Sequence, residues 1–313
     1  MKSQAFTAEL VRRERGIGAG DASANVRTTE VPYKVLRNIE CYVPGLSEQR
    51  AIADYLDRET QKIDELITEQ YSLIETLVER RQSVADALLM ERGVVFPSAM
   101  SSSNIVVPTG WSTAMLGSVL DQLTNGYVGP TRDILVDDGV RYIQATHIKN
   151  DLIDFNRRPF YVSREWHESH ERINLRVGDI LIVQTGDIGK VAVVPENYGD
   201  ASCHALQIAR VRESVVDPWY LGSYLSSWFG YCQLKSRATG ALHPHLEAGV
   251  RSSLVVIPPI QVQKELAQAI YSQRTHIDEL ISESEDLIAL SQERRAALIT
   301  AAVTGQIDVR TAT

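Results

Sequence analysis

Apolar residues recur at spacings of three, four and seven in two stretches of the chain, whereas the segment between them carries short apolar runs of strand type. In the first stretch, Ile52, Tyr55, Leu56, Ile63, Leu66, Ile67, Leu73, Ile74, Leu77, Val84 and Leu88 form one stripe with charged residues between them. No Gly or Pro interrupts Ser47 to Arg92, so the spacing predicts one continuous helix. Ser47 is the expected N-cap, with Arg50 where a capping box would take Glu; Pro44 lies just outside, and Gly93 can end the helix. At about 1.5 Å per residue such a helix reaches roughly 65 to 70 Å. A lone helix of that length with a single apolar stripe must bury it against a partner.

The partner lies in the same sequence. Val43, Pro44, Gly45 and Leu46 return 214 residues later as Ile257, Pro258, Pro259 and Ile260. Ser47 to Arg50 corresponds to Gln261 to Lys264, Ile63 to Ile67 to Ile277 to Ile281, and Leu73–Ile74 to Leu287–Ile288. Glu79, Arg80 and Arg81 return as Glu293, Arg294 and Arg295, with no gap across the whole repeat. The second copy predicts a helix from Gln261 to about Ala302. An antiparallel pairing brings the end of the first helix near the start of the second, so the intervening domain sits at one end of the pair. A parallel pairing would stretch that domain along the full helix length.

Residues 93–107 are Ser-rich and without periodicity, and read as a linker. From 108 to 256 the pattern is mixed. Strands are expected at Arg141 to Ala145, Asp179 to Val183, Lys190 to Val194 and Ala205 to Val211, punctuated by Gly178, Gly186 and Gly189, and Trp219 to Leu234 has helical spacing. The fold class that results is α+β: a mixed globular domain plus two long antiparallel coiled-coil helices.

Composition narrows the function. With 313 residues and 44% apolar content the chain can bury a real core. No secretory signal or membrane span is evident, so a cytoplasmic location is expected. Cys41, Cys203 and Cys232 lack metal-ligand spacing and read as reduced thiols with core roles. The net charge of -8 opposes nucleic-acid binding at first sight, but the deficit lies mostly in the helical stretches. The middle segment is near neutral and holds six of the seven histidines. A chain this acidic should bind DNA weakly alone, which implies a partner carrying positive charge.

Catalytic motifs are missing. Gly186, Asp187, Ile188, Gly189 and Lys190 approach a phosphate loop, but Gln184 and Val191 stand where that loop needs Gly and Ser or Thr. A tight turn between two strands is the plainer reading. Gly16, Gly18 and Gly20 follow a charged run rather than a strand, so a loop outweighs a dinucleotide site. His243 and His245 flank Pro244 and have no third ligand at metal spacing, so no metal site is expected and a surface turn is the better reading. Glu65 and Glu69 read as a solvated helix face. No nucleophile elbow and no amino-methyltransferase tetrad occurs, so no residue is assigned a catalytic role.

These features together resemble the specificity subunits of type I restriction-modification enzymes. In that family each helical region opens with a Pro-containing segment, as at Val43 to Arg50, and carries Ile-Asp-x-Leu-Ile, as at Ile63 to Ile67 and Ile277 to Ile281. Glu-Arg-Arg follows at Glu79 to Arg81 and Glu293 to Arg295, and the last region closes with Thr304 to Asp308. The target recognition domain begins with Pro-x-Gly-Trp, here Pro108 to Trp111, and contains Gly178 to Val183 followed by Ile188 to Ala192.

The resemblance implies a recognition domain at 108–256, helical regions at 43–92 and 257–310, and at 1–42 the tail of another recognition domain. It implies that the domain reads half of a split double-stranded DNA site, with the helices as a ruler and methyltransferase subunits clamped around them. A restriction subunit, and a second copy or complementary half-subunit, are further partners it admits. No cofactor is expected in this chain; S-adenosylmethionine, ATP and Mg belong to the partner subunits. Side chains with the right donors for bases are Gln144, Thr146, Lys149, Asn150, Arg157, Arg158, Gln184, Thr185, Lys190, Arg237, Thr239, His243 and His245. For Arg157 and Arg158 the plainer alternative is solvated surface or phosphate positioning. The rival functions are a coiled-coil adaptor whose middle domain binds protein, and an enzyme with an unfamiliar site in 108–256.

Overall fold

A computed structural model describes residues 15–16, 29–30, 33–36, 43–97, 105–240 and 244–309. Cys41 and most of residues 1–42, expected to be the tail of a recognition domain, lie outside the described residues, as does His243. Two long helices carry the repeat: α1 (Leu46–Glu91) and α5 (Ile260–Val303). The chain forms two compact units, one of Met1–Leu77 with Glu279–Thr313 and the other of Val78–Asp278, so each unit holds part of both helices.

Both helices end alike. Gly93 adopts φ +91° and Gly305 φ +75°. At the first, Val94 N–H donates to Leu89 and Gly93 N–H to Met90; at the second, Gln306 donates to Ala301 and Gly305 to Ala302. This is the Schellman pattern, which needs a left-handed residue that only glycine supplies without strain. The N-terminus differs from the sequence expectation. α1 starts at Leu46, and the Gly45 carbonyl accepts from Glu48 and Gln49, so Gly45 rather than Ser47 occupies the cap. Gln49 locks this turn by donating Nε2 to the Pro44 carbonyl at 2.8 Å, and its repeat counterpart Gln263 donates to Pro258 at 2.8 Å.

In the first unit the stripe is buried at Leu56, Ile63, Leu77, Ile288 and Ala302. Each of the four leucine and isoleucine side chains contributes about 1.5–3 kcal/mol. The Nε of Arg295 lies 2.9 Å from Asp64 Oδ1, setting the two helices side by side. Glu65 and Glu69 are exposed, as a solvated face requires. A ladder of Arg15–Gly16 with Thr29–Glu30 and a turn of helix at Tyr33–Leu36 complete the described part of this unit.

The second unit is the mixed domain. Its strands are β1 (Ser112–Met115), β2 (Leu120–Asn125), β3 (Leu135–Val136), β4 (Val140–Ile143), β5 (Ile148–Lys149), β6 (Leu152–Ile153) and β7 (Tyr161–Val162). They continue with β8 (Ile180–Val183), β9 (Val191–Val193), β10 (Ala201–Cys203), β11 (Leu206–Val211) and β12 (Leu254–Ile257). One antiparallel sheet runs β9-β8-β11-β2, and a second runs β10-β4-β7-β3 with β10 parallel to β4. Ile180 to Val183 are buried on both faces, which explains their continuous apolar run. Ile143, Leu181, Val183, Ala192, Leu206 and Ile208 form the centre of the core.

A short helix α2 (Arg164–Ser169) crosses between the sheets' strands in sequence. The single helix expected over Trp219 to Leu234 is two, α3 (Pro218–Leu225) and α4 (Trp228–Ser236). Asp217 caps the first through Tyr220 N–H, and Ser227 caps the second through Gly230 N–H, so a serine with its own acceptor breaks the run. The ends of the linker are held: Val95 and Val106 pair, Val94 is buried, and Phe96 packs on Phe229 with ring centroids 4.5 Å apart.

Within this unit α1 and α5 run antiparallel. Arg81 on α1 meets Asp278, while Asp86, further along α1, faces Arg274, further back on α5. Among the described residues no helix is long and apolar enough to cross a membrane.

Candidate nucleic-acid interface

Six strand ends meet on one rim of the second unit. β2 and β11 pair with Asn125 opposite Gln207, and β11 and β8 with Leu206 opposite Val183, so the last residue of β2 and of β8 adjoin the start of β11. The Val183 N–H donates to Lys190 O, which brings in the start of β9. His204 N–H donates to Ile143 O and Tyr127 N–H to Cys203 O, which adds the ends of β4 and β10. Backbone bonding alone therefore gathers these chain reversals on one edge.

The rim's side chains are held by a buried polar network. Gln184 is 6% exposed and donates Nε2 to Asn125 Oδ1 at 3.0 Å. Its carbonyl accepts from Leu246 N–H at 3.0 Å, and Gln207 Nε2 donates to Leu246 O at 3.0 Å. Leu246 is thus held at both backbone groups. Immediately before it, Thr239 and His245 exchange reciprocal backbone bonds of 2.9 and 2.7 Å. Arg210, a cation on a rim strand, is committed to the scaffold, with its guanidinium on Asp179, Gln122 and the Asn174 carbonyl.

The nominated residues fall into three groups. Gln184, Thr185, Lys190, Thr239 and His245 come together on the rim. The turn after Gln184 uses Gly186 at φ +75° and Gly189 at φ +85°, leaving Thr185 half-buried and Lys190 exposed beside Asp187 at 2.7 Å. Arg237 follows α4 and donates to the Ser252 carbonyl at 3.3 Å.

Gln144, Thr146, Arg157 and Arg158 surround His147. Gln144 follows β4, and its side chain and backbone are both engaged with His147 in a capping box. Gln144 N–H donates to His147 Nδ1 at 2.9 Å, so Nδ1 is an acceptor and Nε2, 2.8 Å from the Arg158 carbonyl, carries the proton. Burial holds this imidazole below its ordinary value, in agreement with a neutral ring. Thr146, Arg157 and Arg158 are exposed, and the Arg158 guanidinium lies over Phe160 at 5.4 Å.

Lys149 and Asn150 belong elsewhere. Lys149 ends β5, and Asn150 and Asp151 form the two-residue turn of the β5–β6 hairpin at φ +51° and +62°, as a type I′ turn requires. The tip is pinned on the helices. Arg81 donates to the Asn150 carbonyl at 2.7 Å and to Asp151 Oδ2 at 2.9 Å, and Arg274 reaches Asp151 at 3.0 Å. A cleft of about 670 Å³ beside this hairpin is lined by Ile153, Val193, Trp219, Ile270 and Tyr271.

Two rim residues escaped the sequence reading, Asn125 and His204. Asn125–Gly126 is a turn dipeptide, which is the one local signal for the first. His204 has no such signal. Among the described residues no group of His, Cys, Asp and Glu could hold a metal, and Cys203 and Cys232 are free thiols. Burial pushes the Cys203 thiol up, so it stays protonated and inert.

No protein-family model matches the chain. It is 22% identical over 201 residues to the specificity subunit of the type I restriction enzyme EcoBI from Escherichia coli, a stretch covering 63% of this chain and 42% of that protein. The chain therefore spans less than half the length of this curated relative. Its fold is similar to that of a chain solved in a study of complex assembly and conformational transition of the type I R-M system, with TM-score 0.64 and 18% identity over 83% of this chain and 60% of the other. It is also similar to the HsdS subunit from Thermoanaerobacter tengcongensis, with TM-score 0.54 and 17% identity over 97% of this chain and 68% of that one.

Proposed function

We propose that this chain is a DNA-specificity subunit of a type I restriction-modification complex, reading half of a bipartite site in double-stranded DNA and performing no chemistry itself. The observation that carries the proposal is the rim. Six strand ends converge there, and two buried amides, Gln184 and Gln207, hold Asn125 and Leu246 in place at it. Such a surface is suited to holding donors and acceptors against base edges. The fold likeness to an HsdS subunit and to a chain solved in a study of the type I R-M system supports the same reading.

In this proposal, residues 108–256 are the recognition domain, 43–92 and 257–310 the helical regions, 93–107 the linker and 1–42 the tail of another recognition domain. Methyltransferase subunits dock on the helices. Tyr71, Leu73, Leu287 and Leu290 are 54%, 43%, 37% and 62% exposed, which supports a protein-covered face there. A restriction subunit, or a second copy of the chain, completes the assembly. S-adenosylmethionine, ATP and Mg act in the partner subunits, and the complex works in the cytoplasm with the chromosome.

The test is DNA binding by the purified chain with and without cognate methyltransferase subunits, across a salt series, together with methylation mapping of the host genome. Tight, sequence-selective binding with the partner and loss of a bipartite adenine-methylation motif on gene deletion are expected. An unaltered methylome in a host that expresses the gene would overturn the proposal.

A further inference from the structure

Asn125 sits at the last position of β2, exposed on the rim, and its surroundings fix it unusually well for a surface amide. The following Gly126 passes so close to β10 that an added Cβ would lie 2.6 Å from the Cys203 carbonyl oxygen. Gly126 N–H donates to Leu206 O at 2.7 Å, Tyr127 N–H to Cys203 O at 2.9 Å, and Ala205 N–H returns to Tyr127 O at 3.0 Å. The backbone around Asn125 therefore has little freedom. Its side chain is oriented from below, because the buried Gln184 amide donates to Oδ1 at 3.0 Å. Nδ2 is left without a partner among the described residues, and Oδ1 keeps a second lone pair.

We infer that Asn125 is a base-reading residue that recognises adenine in the major groove, and that Gln184 is its positioning residue. This rests on the reading of the chain as a DNA-specificity subunit. Adenine offers N7 as acceptor and N6–H as donor, the complement of an amide with Nδ2–H and Oδ1 both available. Guanine offers two acceptors, N7 and O6, and would set O6 against Oδ1. Pyrimidines offer one partner only. With Oδ1 already bound to Gln184, the amide cannot flip without losing a bond, so its preference is set before DNA arrives. Other rim and near-rim amides are otherwise engaged: Gln144 in its capping box, and Gln207 on Leu246 in the interior.

The experiment uses the complex with its methyltransferase subunits to select duplexes from a randomised pool, first with the natural chain and then with Asn125→Ala and Gln184→Leu. The expected result is loss of an adenine preference at one position of the selected site, by about tenfold or more for Asn125→Ala, with other positions unaltered. Gln184→Leu should weaken the preference at that same position by a smaller factor, which a general loss of stability would not do. Because Asn125 is exposed, its variant removes no apolar packing and leaves only the Gln184 donor unpaired, and it decides the matter even where Gln184→Leu fails to fold. An unaltered motif in Asn125→Ala, or a uniform weakening at every position, overturns the inference while leaving the proposed function standing. If the natural complex selects no sequence at all, the proposed function itself falls.

Discussion

Arg81 donates Nε to Asp278 at 2.7 Å, and Arg295 forms an ion pair with Asp64, its Nε 2.9 Å from Oδ1 and its Nη2 donating to Oδ2 at 3.3 Å. Both partners of the second pair stand 214 residues from their counterparts in the first. The cation of each repeat copy meets the carboxylate of the other, which is the reciprocity that antiparallel association of two equivalent helices demands. The pairs differ in setting. The Arg81 side chain is 10% exposed beneath the Asn150–Asp151 turn, whereas that of Arg295 is 42% exposed.

That difference predicts unequal costs. Arg81→Ala removes a buried guanidinium that bridges the half-buried Asp151 and Asp278, leaving Asp151 with Arg274 alone, and should cost about 3–5 kcal/mol in denaturant unfolding. Arg295→Ala removes an exposed pair and should cost no more than about 1 kcal/mol. Equal losses would contradict the assignment of Arg81 as the joint between hairpin and helices.

The two capping glutamines should part in the same way. Gln263 is fully buried and also accepts from Asp217 N–H at 2.8 Å and donates to Val215 O at 3.1 Å, while Gln49 is exposed with its single bond. Gln263→Ala should cost about 1–3 kcal/mol for each buried group left unpaired, against less than about 1 kcal/mol for Gln49→Ala, as read by thermal unfolding.

Gly126→Ala tests the rim's backbone. The new methyl meets the Cys203 carbonyl, so the strand end must move, at about 1–3 kcal/mol. Selective DNA binding by the assembled complex should fall well before the helical circular-dichroism signal does; retention of full selectivity would show that the rim tolerates displacement.

Acid should loosen the second unit. Burial lowers the proton affinity of His147 in the folded chain, while the unfolded ring titrates at about pH 6.5. The unfolded state therefore binds more protons below that pH, and stability declines as pH falls from about 6.5 toward the folded value, with no change above it. His167 and His204 are shifted in the same direction by burial and add to the slope. His147→Gln should flatten the decline in melting temperature between about pH 6.5 and 5; an unaltered slope would remove His147 from the account.

Much of this architecture is written locally. Apolar periodicity marks α1 and α5, the repeat pairs them, and Gly93 and the glycines of the Gly186–Gly189 turn announce their reversals, because each depends on residues within a turn or two. Cap choice at Gly45 and the break at Ser226–Ser227 were less legible, since several nearby residues compete for the same backbone donors.

The two helices, the α+β class and the set of polar loops follow from the period and chemistry of neighbouring residues alone. Which loops share a rim depends instead on long-range strand pairing. The parallel pairing of β10 with β4 joins residues 60 positions apart and the register of β11 against β2 joins residues 82 to 91 apart, and no local pattern encodes such a meeting. Hence Asn125 emerged beside Gln184, Gln184 went inside, and the Asn150 turn was claimed by Arg81 rather than left free for a base.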